Sequence, residues 1–195
     1  MRTRLKFRSF ITVVFILFFI IFMPILFSGG LANAQKEVAS PYTHKEFIKE
    51  VAPTAQKLSK LYGIKSSIII GQAALASHYG HTFVSNKYHN LFALRALPGQ
   101  SGIRLQDREY SKGAWHKVSY RFLVYPSWKE SLYDYLALLR GGKLWDSALY
   151  RTMATSNGYK TTARALQSSG FSDDPNYAEK LIAVIEENGL TDYDQ

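Results

Sequence analysis

Cysteine is absent from all 195 residues. Without thiols there is no disulfide framework, no cysteine nucleophile and no thiolate metal site, so an exported domain must be held by its own apolar core. Dense basic runs are absent too. The formal charge of +9 comes from 24 Lys and Arg set against 15 Asp and Glu, spread along the chain without the clustered stripe that a nucleic-acid surface needs. Nucleic acid is therefore not an expected partner. Histidine is scarce, at five, and His78 and His81, about one turn apart, are separated by a Gly80 that should end any helix, with no carboxylate near them in sequence. No metal site and no cofactor is expected. Internal repeats and low-complexity segments are also missing.

One compact domain plus a targeting segment suits this length. Arg2, Arg4, Lys6 and Arg8 precede an almost unbroken apolar run from Phe10 to Phe27, the pattern of an export segment. The run is longer than a usual signal-peptide core and close to the length that spans a bilayer. Against that, Ala32-Asn33-Ala34 before Gln35 is a small-residue cleavage pattern. Residues 1–34 are expected to be either a cleaved signal peptide or a retained membrane anchor, with the basic end cytoplasmic and the rest outside. They hold four basic residues and no acid, which leaves +5 of the +9 charge on the exported part. That excess favours anionic polymers of the wall or the membrane surface.

Residues 35–43 read as a polar linker, and residues 44–195 as the folded domain. From His44 to about Leu61, Phe47, Val51, Ala55, Leu58 and Leu61 recur at helical spacing, with a bend or break expected at Pro53. Gly63 punctuates. Ser66 or Ser67 then caps a second helix running to Tyr79, stopped by Gly80. This helix is apolar nearly all round, through Ile68, Ile69, Ile70, Ala73, Ala74 and Leu75, and so belongs in the middle of the domain. A turn-rich stretch with an apolar NLF knot follows. Residues 103–125 are then rich in β-branched and aromatic residues around a turn at Ser111-Lys112-Gly113, which predicts a hairpin or small antiparallel sheet. The helical period returns in SWKESLYDYLALLR, closed by Gly141-Gly142, and two more helices are expected over about 160–168 and 175–188.

Five motifs in order, QAALASHYG (72–80), NLFAL (90–94), REY before a glycine turn (108–113), FLVYPSWKESLYDYLALL (122–139) and NYAEKL (176–181), resemble the glucosaminidase domain of bacterial cell-wall hydrolases, glycoside hydrolase family 73. The resemblance covers nearly all of the chain from His44 onward. It implies a mainly α (α+β) fold, a lysozyme-like helical domain with a small β-hairpin lobe after the central helix. It also implies an extracytoplasmic protein that cuts the peptidoglycan glycan strand after N-acetylglucosamine.

In that family the central helix carries a glutamic acid, in a pattern close to QAALESGWG. Gln72, Ala73, Ala74, Leu75, Ser77 and Gly80 match it, Tyr79 replaces one aromatic by another, and the glutamate falls on Ala76. Glycosidic cleavage needs a proton delivered to the leaving oxygen, and a methyl group has none to give. His78 lies two positions on, about 200° around a helix, and is expected to point away from Ala76.

The resemblance also implies a catalytic role for Glu109, which would position or activate water or help the substrate's acetamido group attack; otherwise Glu109 is an exposed strand residue paired with Arg108 or Lys112. Tyr177 matches a tyrosine of the family's cleft, or is simple packing at a helix start. Asn90, Leu91 and Phe92 match the NLF knot below the cleft and also fit a purely structural role. Leu123 stands where the family usually has arginine. Tyr79, Tyr110, Trp115 and Tyr120 offer flat faces for sugar rings, whereas Trp128 and Trp145 are expected to pack in the core. The readings are a glycan hydrolase impaired at position 76, a non-catalytic relative that binds wall glycan or a membrane partner, and an exported scaffold in which Ala76 merely lets two helices pack closely.

Overall fold

The computed structural model describes residues 31–111 and 113–194, without the side chains of Tyr110 and Ser111. Residues 1–30, most of the segment expected to be a signal peptide or membrane anchor, lie outside the described residues. Seven helices and one hairpin follow in the order α1 (His44–Tyr62), α2 (Ser66–Ser77), α3 (Phe83–Tyr88), β1 (Ile103–Ser111), β2 (Ala114–Phe122), α4 (Trp128–Arg140), α5 (Ser147–Thr155), α6 (Tyr159–Ser168) and α7 (Tyr177–Glu187), closed by a 3-10 turn at Leu190–Tyr193.

The apolar helix is central, as its composition demands. Ile68, Ile69, Ile70, Ala73 and Ala74 of α2 are all fully buried, and each isoleucine contributes roughly 1.5–3 kcal/mol by leaving water. Around α2 pack α1, α6, α7 and the final 3-10 turn. Helix α1 opens with a capping box in which Thr43 and Glu46 satisfy each other's backbone N–H. It then runs through Pro53 without a break. Pro53 and Lys49, whose carbonyl the proline leaves unbonded, are both exposed, so water can satisfy what the ring removes.

The second expected cap is replaced from a distance. Neither Ser66 nor Ser67 caps α2 with its own side chain. Instead the Asp194 carboxylate accepts from the Ser67 backbone N–H and from the Ser67 hydroxyl, both at 2.8 Å. A carboxylate at a helix N-terminus is also favoured by the helix dipole.

The hairpin pairs Ile103 with Phe122 through Ser111 with Ala114, antiparallel. Its base joins a second small core of Ala34, Val84, Leu105 and Phe122. The end of the segment read as signal or anchor and the start of the stretch read as a linker are woven into this lobe. Ala34 donates to the Gln106 carbonyl at 2.8 Å, Gln106 donates to the Ala32 carbonyl at 2.9 Å, and Val38 donates to the His81 carbonyl at 2.9 Å. Residues 32–38 thus form a strap along the hairpin edge and past the turn that ends α2. Two short helices, α3 and α5, carried too few periodic residues to be read from sequence.

Candidate active site

A cleft of about 410 Å³ opens beside the central helix. Helix α2 supplies Gln72, Leu75 and Ala76, the following turn supplies His78, and the loop after α3 supplies Phe92 and Leu94. The opposite wall comes from Tyr135 of α4, Trp145, the loop residues Phe171, Ser172 and Asp174, and Tyr177 and Lys180 of α7. Ala76 is exposed on this wall, one turn beyond Gln72 on the same helix face. The expected glutamate position therefore faces the cleft, and its methyl group leaves that point without a proton donor.

Aromatic rings line the cleft in stacked pairs. Phe92 stacks on Tyr135 with ring centroids 3.8 Å apart, and Trp145 on Phe171 at 4.4 Å. Trp145, expected as core packing, therefore also forms cleft wall; Trp128 packs edge-on against Tyr42 and Phe47 and donates to the Ser85 carbonyl. Apolar faces with a few converging polar groups are what a sugar ring needs. At the floor, Gln72 Nε2 donates to the Tyr177 hydroxyl at 3.5 Å, while Gln72 Oε1 and Tyr135 Oη are buried without a hydrogen-bond partner. Burial pushes the Tyr177 phenol up to about 12, against a smaller opposing effect of Gln72. Tyr177 thus stays protonated at neutral pH and can offer its O–H to a ligand. It cannot serve as a base there.

One carboxylate lines the cleft that the sequence did not single out. Asp174 is bonded to the Lys180 ammonium and accepts from the Asn176 backbone N–H at 3.0 Å. The Lys180 bond first, and the Asn176 amide second, hold the Asp174 carboxyl below the usual carboxylate range. An ionised carboxylate suits the positive charge that develops at an anomeric carbon. The signal for it was the polar and aromatic loop Phe171–Asn176 just ahead of Tyr177, but nothing local tied that loop to Ala76.

The remaining expected residues are placed as follows. Phe92 and Tyr177 line the cleft, whereas Glu109, Tyr79, Asn90, Trp115 and Tyr120 are not among its lining residues. Glu109 accepts from the Tyr120 hydroxyl on one face of the hairpin, and Lys112, the other partner expected for it, lies outside the described residues. Tyr120 has the Arg95 guanidinium 3.4 Å from its ring centroid, so that face is covered. Tyr79 stacks on His44 at 3.7 Å, and its hydroxyl accepts from Asn188. Asn90 is fully buried, donating to the carbonyls of Leu94 and Leu123 and accepting from the Leu94 N–H. It ties the NLF knot. Trp115 is 66% exposed at the hairpin tip, and the Tyr110 side chain lies outside the described residues.

His78 departs furthest from expectation. Helix α2 ends at Ser77, and His78 adopts a left-handed conformation at φ 48°, ψ 54°. The 100° per residue of a helix no longer applies, and His78 lines the same cleft as Ala76. Its Nδ1 lies 2.8 Å from Glu37 Oε1 of the strap, a carboxylate 41 residues away. Tyr79 and Gly80 are left-handed too. At Gly80 a Cβ would come within 2.7 Å of Trp128 and 2.8 Å of the Tyr42 hydroxyl, so glycine is required there twice over.

Comparison with known proteins agrees with this arrangement. Residues 52–190 match the family model described as mannosyl-glycoprotein endo-beta-N-acetylglucosaminidase. The chain is 31% identical over 160 residues to the exo-glucosaminidase LytG of Bacillus subtilis, covering 82% of this chain and 57% of LytG. It spans about half the length of the curated relatives it matches. The catalytic domain of the autolysin Auto from Listeria monocytogenes superposes with a TM-score of 0.71 at 33% identity, over 80% of this chain and 91% of that one. A C-terminally truncated glycoside hydrolase domain of Salmonella typhimurium FlgJ gives 0.59 at 32% identity, over 74% and 97%. With the ordered motifs, the lysozyme-like arrangement of helices and the cleft at position 76 all in place, the chain belongs to the glucosaminidase family.

Proposed function

We propose that this chain binds the glycan strand of bacterial peptidoglycan in the cleft beside α2 and hydrolyses it at N-acetylglucosamine. The cleft itself carries the reading. Stacked aromatic pairs flank a protonated Tyr177 and an ionised Asp174, and the position of the family's acid faces into the same space. The names of LytG and FlgJ as glucosaminidase and peptidoglycan hydrolase support it.

The basic residues 2–8 and the apolar run behind them support an extracytoplasmic location. The strap favours a retained membrane anchor over a cut after Ala34. Such a cut would remove the Ala32 carbonyl from Gln106 and take fully buried Ala34 out of the lobe. The intact mass of the protein recovered from membranes distinguishes the two.

The test of function compares the chain with Ala76→Glu on insoluble peptidoglycan. Both should be retained by the polymer, and the glutamate should raise the release of reducing ends at least about tenfold, a positioned acid being worth about 10²–10⁴-fold where no other donor acts. A folded pair of proteins that neither binds nor cuts peptidoglycan would overturn the reading.

A further inference from the structure

Two positions of the central motif depart from QAALESGWG in chemistry that matters. Position 76 has lost a carboxylic acid, and position 78 has gained an imidazole where the family pattern has glycine. Both residues line one cleft. The gain comes at a conformational cost, because His78 sits at φ 48°, a left-handed geometry that disfavours a residue with a Cβ by roughly 1–2 kcal/mol. Glycine would relieve that strain, as strained side chains persist where their surroundings hold them.

The surroundings here are specific. Glu37 belongs to the strap, which is fixed on both sides of it by Phe83 N–H donating to the Lys36 carbonyl at 2.8 Å and Val38 N–H donating to the His81 carbonyl at 2.9 Å. A carboxylate can only accept, so the contact at 2.8 Å between Glu37 Oε1 and His78 Nδ1 assigns the Nδ1 proton. Nε2 has no protein partner among the described residues and is left to exchange a proton with whatever occupies the cleft. Imidazole is a side chain type suited to proton transfer, and a carboxylate behind Nδ1 orients the ring.

The geometry points to His78, aligned by Glu37, as the proton donor of this cleft in place of the carboxylic acid missing at position 76. The inference rests on the cleft being a glycan-cleaving site. In the step, His78 Nε2–H protonates the glycosidic oxygen, the bond from that oxygen to the anomeric carbon breaks, and the bonding pair stays on the oxygen. A water oxygen then bonds to the anomeric carbon and releases a proton to solvent. The neutral imidazole recovers its proton from solvent, so the balance is one water consumed per bond cut. His78 is the donor, and Glu37 is a positioning residue.

Five full-length proteins test this on insoluble peptidoglycan: the chain itself, His78→Gly, Glu37→Gln, Glu37→Asp and Ala76→Glu. Release of reducing ends is measured with and without added imidazole. The glycine variant relieves the left-handed strain, so it should fold at least as well as the parent. The expected result is slow cutting by the parent, a loss of about 100-fold in His78→Gly, and partial recovery of that loss by imidazole, which a merely structural histidine would not show. Glu37→Gln should lower kcat about tenfold at unchanged KM, with part of the loss restored in Glu37→Asp. If the parent and His78→Gly cut equally, or the parent binds without cutting while Ala76→Glu cuts, the donor role is wrong and the glycan-cleft reading stands. If neither the parent nor Ala76→Glu binds or cuts, both fall.

Discussion

Gly71 lies where α2 meets α7, and replacing it by alanine sets two effects of known size against each other. Alanine is favoured over glycine inside a helix by about 1 kcal/mol. Yet a Cβ at Gly71 would stand 2.8 Å from Leu181 Cδ1 and 3.1 Å from Ile185 Cγ1, and both side chains are fully buried. Neither can swing into solvent, so helix α7 or its side chains must give by a few tenths of an ångström. Overpacking of this kind costs about 1–3 kcal/mol. Packing should win by about 1 kcal/mol, which for a domain of this size lowers Tm by about 2–4 °C.

Thermal and urea melts followed by circular dichroism measure the shift, and a second mutation identifies its cause. Leu181→Ala alone should destabilise by about 2–5 kcal/mol. In the Gly71→Ala background the new methyl fills part of that cavity, so the same change should cost at least about 0.5 kcal/mol less. Because α7 also carries Tyr177 and Lys180, Gly71→Ala should weaken retention on peptidoglycan. A rise in Tm with strictly additive energies would refute the tight α2–α7 contact.

Two further outcomes follow from individual contacts. Asp194→Ala removes both acceptors at the start of α2 and should cost about 1 kcal/mol in urea unfolding, whereas Lys57→Ala, exposed on α1, should change stability by less than about 0.5 kcal/mol. Tyr177 titrates near 10 when unfolded and at about 12 in the fold, so the stability it contributes is complete below about pH 10 and is lost as pH rises toward 12. Tyr177→Phe should flatten that alkaline loss in unfolding experiments, and should weaken retention on peptidoglycan about tenfold, the equivalent of one hydrogen bond.

The amino-acid sequence by itself determined the parts set by short-range periodicity and chemistry. The all-round apolar character of residues 66–77 made a central helix, the β-branched and aromatic run after Ile103 made a hairpin, and Ala76 left the helix without an acid. Phe92 and Tyr177 were legible as cleft residues because they sit in motifs of fixed order.

Only the tertiary structure decided what those elements do together. The cleft joins Gln72 to Tyr177, 105 residues apart, and the α2 cap arrives from Asp194, 127 residues away. No local spacing records such pairings. Tyr79 and Tyr120 had the composition of sugar platforms, and the structure sets His44 against one ring and the Arg95 guanidinium over the other, outside the cleft lining. His78 turned toward the cleft because α2 ends one residue before it, where the helical wheel ceases to describe direction. Its carboxylate partner came from a strap that looked like a linker, since backbone hydrogen bonds to a distant hairpin leave no trace in side-chain pattern.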